Sequence, residues 1–452
     1  MLVKHLKYTG KPDTLPAKTT RVNILPVNGS GNYALGDTIQ VNIPCRNNLV
    51  LDAANSYLKF NVQFTTGAAS SFRFDSAGAH SVIQSIHVYS GSSLLEKISE
   101  YSSLAKLLMD MANPSDAVFN KFNVISGTRN DLSVVPNVAA VPTLNEIAVG
   151  GLRAVQTNSG ESITALAGAG TTDAVTYCLN LFSILGKFSQ DTYFPLFAAT
   201  GSGLRLEIVL HQNPTNIICS NAAITSMVVS NCEYVASMIE LSDTAMAIIK
   251  QSVGDKPLSY ALSTYRNSNT TASLAAGNNN IQVIVPARYS SLKNLLATSR
   301  DKYQTLAVYG TSSVVNGLTE YSWRIGSDIY PQKAPNTKQE MFCELSKCFN
   351  AVGETGSNMA VDKIAYNLAT SATQDLVSLI NGSSNSGSFC LGLNLEAYGG
   401  SHSSLQGLDT NQSDIQLNLT YATAVAGSMR YDVFAEIDQV MVFENGSCYI
   451  KF

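Results

Sequence analysis

The six residues YCLNLF, Tyr177 to Phe182, return later in the chain as FCLGLNL, Phe389 to Leu395. Cys178 and Cys390 occupy the same place in the two stretches and stand 212 positions apart. Apolar residues alternate in both stretches with small or polar ones, which is the pattern of a β-strand with one buried face. The pair therefore indicates two copies of one β unit within a single chain.

The same correspondence extends to both sides of this pair. Downstream, GLRLEIVL at Gly203 to Leu210 corresponds to DIQLNLTY at Asp414 to Tyr421, with an offset of 211. Upstream, IHVYSGSSLLEK begins at Ile86 and WRIGSDIYPQK begins at Trp323. Each reads as a strand, a Gly-Ser turn and a second short strand, and an amphipathic helix follows. The turns are offset by 235, which indicates a longer insertion in the first copy.

Alternation with period two recurs along most of the chain and predicts further strands. These are Thr38 to Pro44, Ser56 to Phe64, Val82 to Tyr89, Tyr177 to Leu185, Gly203 to His211, Ser226 to Ile239, Asn280 to Pro286, Tyr321 to Tyr330, Phe389 to Ala397, Asp414 to Ala422 and Met429 to Phe443. Helical patterns are fewer, and they cover Leu95 to Met111, Asp243 to Val253, Lys338 to Phe349 and Asp362 to Ile380. The fold class is therefore mainly β, with a few helices on loops.

The repeat also predicts how the chain is divided. We expect three segments, of which each β domain carries one insertion rich in Gly, Ala, Ser, Thr and Asn, a composition that suits exposed loops. They are an N-terminal arm over 1–36, a first domain over 37–253 with an insertion at 112–174, and a second domain over 254–452 with an insertion at 351–388.

The composition restricts the classes of function. Of the 452 residues, 45% are hydrophobic and only 14% are charged, so the surface is poorly charged for a free monomer and favours burial in a large assembly. The net charge of -4 argues against direct binding of nucleic acid. No apolar run approaches the ~18 to 20 residues that span a bilayer. The eight cysteines form no Cys-x-x-Cys pair, which favours a reduced compartment such as the cytosol.

Several stretches resemble a known family of proteins. LNLFSILGKFSQDTYFPLFAATGSGLRLEIVL, Leu179 to Leu210, is similar to the end of the first jelly roll in major capsid proteins of nucleocytoplasmic large DNA viruses, including a Pro-Leu pair at Pro195. Tyr431 to Val433 and Gly446 match the final hairpin of their second roll. YSWRIGSDIYPQKAP, Tyr321 to Pro335, resembles a segment of capsid proteins from virophages and polinton-like viruses. The N-terminal segment departs from the large-virus pattern, so the resemblance is to the wider double jelly-roll lineage of the adenovirus hexon.

This resemblance implies both a fold and a function. The implied fold is two tandem eight-stranded jelly-roll sandwiches, and the implied function is that of a major capsid protein that trimerises into pseudo-hexagonal capsomers. These capsomers would tile the icosahedral shell of a tailless DNA virus. The implied partners are two further copies, neighbouring capsomers, and minor capsid and penton proteins, with an internal membrane as a further candidate. The implied location is the virion capsid, assembled in the host cytosol or in a virus factory.

Motifs that would carry chemistry are absent from the sequence. The five histidines lack the His-x-x-x-His or Cys/His spacing of a zinc site. There is no G-x-S-x-G elbow, no phosphate-binding G-x-x-x-x-G-K-[ST] loop and no tight pair of carboxylates. We therefore expect no enzyme, no catalytic or metal-binding residue and no cofactor. The alternative that stays open is a β-sandwich carbohydrate-binding or adhesive surface module, for which a signal peptide and paired cysteines would be expected.

The N-terminal segment MLVKHLKYTGKP is the one candidate contact site. It carries Lys4, His5, Lys7 and Lys11 among three apolar residues. One interpretation is a frayed terminus. The other is a basic arm on the inner face of the shell that meets an internal membrane, a minor capsid protein or a neighbouring capsomer. On the second interpretation, Met1 to Arg21 is dispensable for folding but needed for assembly.

Overall fold

The computed structural model describes most of the chain. The described residues are 17–29, 31–67, 72–128, 169–172, 174–189, 192–220, 223–254, 257–273, 279–301, 310–349, 351–354, 359–369, 386–397, 406–422 and 428–451.

Eight strands of the first half form two facing antiparallel sheets. The strands are β1 (Ala17–Ile24), β2 (Thr38–Ile43), β3 (Leu49–Thr66), β4 (Ile83–Ser90), β5 (Ser93–Ser99), β6 (Val175–Leu179), β7 (Leu204–Leu210) and β8 (Ile224–Leu241). One sheet has the order β1-β8-β3-β6 and the other has the order β2-β7-β4-β5. This is the strand order of a jelly roll.

The second half repeats this arrangement. Its strands are β9 (Leu258–Ser273), β10 (Asn280–Val285), β11 (Leu292–Asp301), β12 (Leu318–Ile325), β13 (Asp328–Tyr330), β14 (Cys390–Asn394), β15 (Ile415–Tyr421) and β16 (Ser428–Glu444). The sheets have the orders β9-β16-β11-β14 and β10-β15-β12-β13. A last strand, β17 (Ser447–Lys451), forms a hairpin with β16.

Each of these eight strands thus has its counterpart eight strands later, whereas the two-residue strands Asn32–Tyr33, Phe72–Arg73, Gly170–Thr171 and Cys219–Ser220 of the first half have none among the described residues. Cys178 lies in β6 and Cys390 in β14, and both strands pair with the third strand of their own roll. The predicted duplication, with two tandem eight-stranded jelly rolls in a mainly β protein, is confirmed.

The alternation that predicted the strands is also what holds each roll together. In β7 the side chains of Leu204, Leu206, Ile208 and Leu210 are all buried, and the residues between them are half-buried. Its counterpart β15 has the same pattern. Burial of each such side chain contributes about 1.5 to 3 kcal/mol, so the inward-facing residues of the sheets stabilise each roll.

The helices lie outside the two sandwiches. The α-helices are α1 (Tyr101–Met111), α2 (Phe122–Ser126), α3 (Asp243–Val253), α4 (Lys338–Ser346) and α5 (Lys363–Tyr366). The first of them begins later than the helix predicted over Leu95 to Met111, because the chain first completes the hairpin of β4 and β5. Of the helix predicted over Asp362 to Ile380, only α5 lies within the described residues. No helix in the described ranges is long and apolar enough to cross a membrane.

Part of the segment expected to be a separate arm belongs to the first roll. Ala17–Ile24 pairs with β8 along its whole length, from Ala17 opposite Leu241 to Ile24 opposite Tyr234. It takes the place that β9 has in the second roll. The expectation that residues 1–36 stand apart from the sandwich is therefore wrong for β1. Residues 1–16, with Lys4, His5, Lys7 and Lys11, lie outside the described residues.

The strand predicted from Tyr177 to Leu185 is shorter in the structure and ends at Leu179. The Asn180 side chain turns the chain there, because its Nδ2 donates to the carbonyls of Ala53, Ala54 and Ser56 at 3.3, 3.1 and 2.7 Å. The described sheets of the two rolls share no strand, and α3 lies between β8 and β9.

Candidate functional site at the junction between the two rolls

The feature that distinguishes this molecule from two separate sandwiches is a buried, charged junction between its rolls. Its centre is α1 of the first roll, in which all eleven residues are buried. The helix carries Lys106 and Asp110 within the otherwise apolar sequence LAKLLMDM. Charged side chains are almost never fully buried unless they are paired, so their partners define the site.

Lys106 is surrounded by hydrogen-bond acceptors. Its Nζ lies 3.2 Å from Asp75 Oδ1, 3.0 Å from Asp110 Oδ2, 2.9 Å from Ser76 Oγ and 3.2 Å from Ser388 Oγ. Burial alone would lower the pKa of Lys106, but the two carboxylates outweigh it and the pKa is raised. The ammonium is therefore charged and fully satisfied, which suits a structural role rather than that of a nucleophile.

The same cluster crosses from the first roll to the second. Thr311 and Ser386, both beyond the boundary, donate to the two carboxylate oxygens of Asp75 at 2.5 and 2.6 Å. Ser388 donates to Asp110 at 2.7 Å. Because the Asp75 side chain is 2% exposed, these bonds form away from competing water.

A second cluster surrounds Glu100, which precedes α1. Its two oxygens lie 2.8 Å from Arg300 Nη2 and 2.8 Å from Arg430 Nη2, on the neighbouring strands β11 and β16. Asp432 lies 2.9 Å from Arg300 and 3.1 Å from Arg430 and completes an alternating square of charges. Burial would raise the pKa of Glu100, but the two guanidiniums outweigh it and lower the pKa.

Glu96 in β5 makes a third connection. Its carboxylate accepts hydrogen bonds from Ser183 Oγ, from the Ile184 N–H at 3.1 Å and from Thr264 Oγ1 of the second roll at 2.6 Å. Burial raises the pKa of Glu96, and these three donors offset part of that effect.

Apolar and backbone contacts continue the junction beyond the charges. Phe194 meets Phe443 edge-on at 5.8 Å between ring centroids and Tyr260 at 6.4 Å. The Gly201 N–H donates to the carbonyl of Gly446 at 2.9 Å. A Cβ on Gly201 would stand 3.0 Å from that carbonyl oxygen, so glycine allows a close approach that a side chain would crowd. The junction is therefore a continuous interface of charged, apolar and backbone contacts between the two rolls.

Two buried histidines hold the start of α1. His80 Nδ1 lies 2.9 Å from the Tyr101 hydroxyl, and His211 Nε2 lies 2.9 Å from the Ser102 hydroxyl. Burial, with a smaller effect of Lys187, lowers the pKa of His80 to about 3. Burial also lowers the pKa of His211 to about 4, so both rings are neutral at physiological pH. Their surroundings are those of packed core residues.

A bound metal ion would need a cluster of ligating side chains, and a small ligand would need a cavity. These residues contain no group of three His, Cys, Asp or Glu side chains that could hold a metal ion. A cavity of about 470 Å³ lies between α4 and α5, lined by Lys338, Phe342, Val361 and Tyr366 among others. Burial lowers the pKa of Lys338 to about 8, yet its Nζ already donates to the carbonyl of Leu318.

Sequence reasoning did not find the junction. Its members are scattered between positions 75 and 446, and none belongs to a recognisable motif. One local feature could have indicated it: Lys106 and Asp110 lie four residues apart on a helix whose remaining residues are mostly apolar. A charged pair on a helix that has no polar face is the pattern of a buried ion pair.

Two tandem jelly rolls locked by a buried junction define a double jelly-roll protein. No protein-family model matches the sequence, and no curated protein matches it. Solved structures do match this chain along nearly its whole length, and the likeness is one of fold.

One of these structures is VP54 of the virus PBCV-1, fitted into a reconstruction of the virophage Sputnik, with a TM-score of 0.59, 11% identity and 98% of each chain covered. The mavirus major capsid protein matches with a TM-score of 0.55 and 12% identity, over 100% of this chain and 93% of that one. The Faustovirus major capsid protein matches with a TM-score of 0.55 and 9% identity, over 97% and 92%. These similarities extend through both rolls, so the likeness is to the whole double unit.

Proposed function

We propose that this chain is the major capsid protein of a tailless icosahedral DNA virus and has a structural role without catalysis. The observation that carries the proposal is the whole-length likeness to double jelly-roll major capsid proteins, including those of mavirus and Faustovirus. The junction is consistent with this role, because buried contacts hold the two rolls of one subunit together.

We further propose that three copies form the functional unit. Three copies contribute six rolls, which gives a pseudo-hexagonal block able to tile an icosahedral face. The low content of charged residues, 14%, supports extensive burial between copies. Such an interface should bury more than the ~2,000 Å² at which obligate interfaces begin.

The remaining partners follow from the same proposal. The capsomer would contact neighbouring capsomers and minor capsid and penton proteins, within a virion assembled in the host cytosol. The basic segment with Lys4, His5, Lys7 and Lys11 would contact a neighbour or an internal membrane on the inner face. The domains would be 37–253 and 254–452, with β1 added to the first.

Light scattering coupled to size-exclusion chromatography tests the proposal. A mass near three times the 48.3 kDa of one chain is expected, and it should persist on dilution. A folded, soluble monomer at nanomolar concentration would contradict the capsid role and favour a binding module.

A further inference from the structure

One hydroxyl group of the junction takes no part in its charged clusters. Ser103 lies in α1, one turn before Lys106, and is 6% exposed. Among the residues that the structure describes, its Oγ has no hydrogen-bond partner. A buried hydroxyl without a partner costs stability, and most buried polar groups in folded proteins bond either to protein or to ordered water. The surroundings of Ser103 should therefore offer it a partner.

A small cavity lies beside this hydroxyl, between α1 and the second roll. Its volume is about 10 Å³, and its walls include Ser103, Lys106, Thr298, Arg300 and Ser313. The described residues that line it are all buried, so the space is screened from bulk solvent. A cavity of this size has room for one water molecule and not for a larger ligand.

Two hydroxyls of the second roll line the same cavity and keep hydrogen-bonding capacity. Thr298 Oγ1 donates to the carbonyl of Asp432 at 3.5 Å, and Ser313 Oγ donates to the carbonyl of Gly387 at 3.5 Å. Both distances are long for an O–H donor, and each hydroxyl oxygen can also accept. Together with Ser103 the cavity offers three polar groups, and a buried water typically makes about three hydrogen bonds.

The charged side chains beside the cavity disfavour an ion. A metal cation would be repelled by Lys106 and Arg300, which both line the space. An anion would meet Asp110, and carboxylates at 2.8 to 3.2 Å already neutralise the two cationic side chains. Either ion would also lose its hydration, which is costly in a buried site. A neutral molecule of the size of water fits the cavity best.

We propose that this cavity binds one structural water, which bridges Ser103 of the first roll to Thr298 and Ser313 of the second. The water supplies the partner of Ser103 and gives the two long-bonded hydroxyls a closer one. It thereby joins α1 to the second roll through three neutral groups. This link between the rolls contains no titratable side chain, unlike the clusters around Lys106, Glu100 and Glu96.

The sign of a change in melting temperature provides the first test. If the Ser103 hydroxyl had no partner, Ser103→Ala would raise the melting temperature, because alanine is the better helix former and no buried hydroxyl would remain unpaired. With the water bound we expect the melting temperature to fall. The control is Ser102→Ala, which removes a direct bond of 2.9 Å to His211 in the same helix and should also lower it. A melting temperature of Ser103→Ala equal to or above that of the wild type would overturn the inference.

A variant of constant volume separates lost hydrogen bonding from lost packing. Thr298→Val replaces the hydroxyl by a methyl group of similar size on the opposite wall. We expect it to lower the melting temperature, and we expect the double variant with Ser103→Ala to lose less than the two single variants together, because both hydroxyls bind the same water. Strictly additive losses would contradict a shared water.

A crystal structure of the wild-type protein, at a resolution that shows ordered waters, tests the site without any substitution. We expect a single peak of density in the cavity, within hydrogen-bonding distance of Ser103 Oγ and of the hydroxyl of Thr298 or Ser313. The same crystals of Ser103→Ala should show the peak weakened or lost. A cavity without density in the wild type, or direct bonds between the three hydroxyls that close it, would overturn the inference.

Discussion

Lys106 and Ser388 are 282 positions apart in the chain and are joined by a hydrogen bond of 3.2 Å across the junction of the two rolls. Ser388 also donates to Asp110, so one serine of the second roll bonds to both members of the Lys106–Asp110 ion pair of the first. The bond thus ties the alignment of the rolls to the stability of α1. Around Lys106, the side chains of Asp75, Asp110, Ser386 and Ser388 all have hydrogen-bond partners, as a buried polar network requires if it is to favour one arrangement.

Replacing Lys106 by methionine should be strongly destabilising. The substitution keeps the volume but leaves Asp75 and Asp110 buried without their cation, which costs about 3 to 5 kcal/mol. The matched control is Arg288→Met, which breaks an ion pair with Asp414 whose side chains are 65% and 73% exposed and should cost about 0 to 1 kcal/mol. Urea unfolding of both variants measures the difference. Equal losses of unfolding free energy would show that the buried ion pair stabilises the protein no more than the exposed one.

Glu100→Gln should remove part of the stability at neutral pH and less of it in acid. The pKa of Glu100 is lowered in the folded state, so its contribution is complete above the unfolded value of about 4.3 and is lost as the pH falls through the folded value. Charged hydrogen bonds of this kind contribute about 1.5 to 3 kcal/mol. Melting temperatures between pH 7 and pH 3 should therefore converge for the variant and the wild type. A constant difference across that range would exclude ionisation of Glu100 as the cause.

The two buried histidines should make the protein lose stability as the pH falls below about 6.5. Their folded pKa values, about 3 for His80 and about 4 for His211, lie below the unfolded value, so the unfolded chain binds protons first. Each histidine then costs about 1.4 kcal/mol per pH unit within that window. The double variant His80→Asn, His211→Gln keeps a polar atom near each bonding nitrogen. It should show a flatter dependence of unfolding free energy on pH between 6.5 and 4, and an unchanged slope would refute the assignment.

Truncation should show that β1 contributes to stability and that the residues before it do not. Removal of residues 2–16 should leave the melting temperature unchanged, whereas removal of residues 2–24 deletes an edge strand and leaves the hydrogen-bonding groups of β8 unpaired. Differential scanning calorimetry of the two truncated chains makes the comparison. If both truncated chains had similar melting temperatures, β1 would not contribute to the stability of the first roll.

The duplication was predictable because both copies carry the same local patterns of glycine turns and alternating strands. Gly91 and Gly326 mark equivalent turns, with φ of 58° and 59°, and the equivalent strands Leu204–Leu210 and Ile415–Tyr421 alternate strictly. The strand β1 was missed because AKTTRVNI is an edge strand without a fully buried residue, and only Val22 and Ile24 supply apolar side chains that pack against the core. The long strand β9 was missed for a similar reason, since its second half reads RNSNTTAS.

The junction lay beyond sequence reasoning because its chemistry is made by distant residues. Glu100 of the first roll forms its ion pair with Arg300, and Arg300 with Asp432, only after both rolls have folded and packed together. The alternation that identifies a strand states which residues face inward or outward, but not which outward faces are covered by another domain. Asp432 is on the outer face of its sheet, yet it is 0% exposed because the first roll covers that face.

A reconstruction of the purified oligomer by electron cryomicroscopy tests the central claim most directly. The account predicts three chains whose six rolls form a closed pseudo-hexagonal ring. Isolated monomers, or a two-fold dimer in which identical surfaces meet, would contradict it.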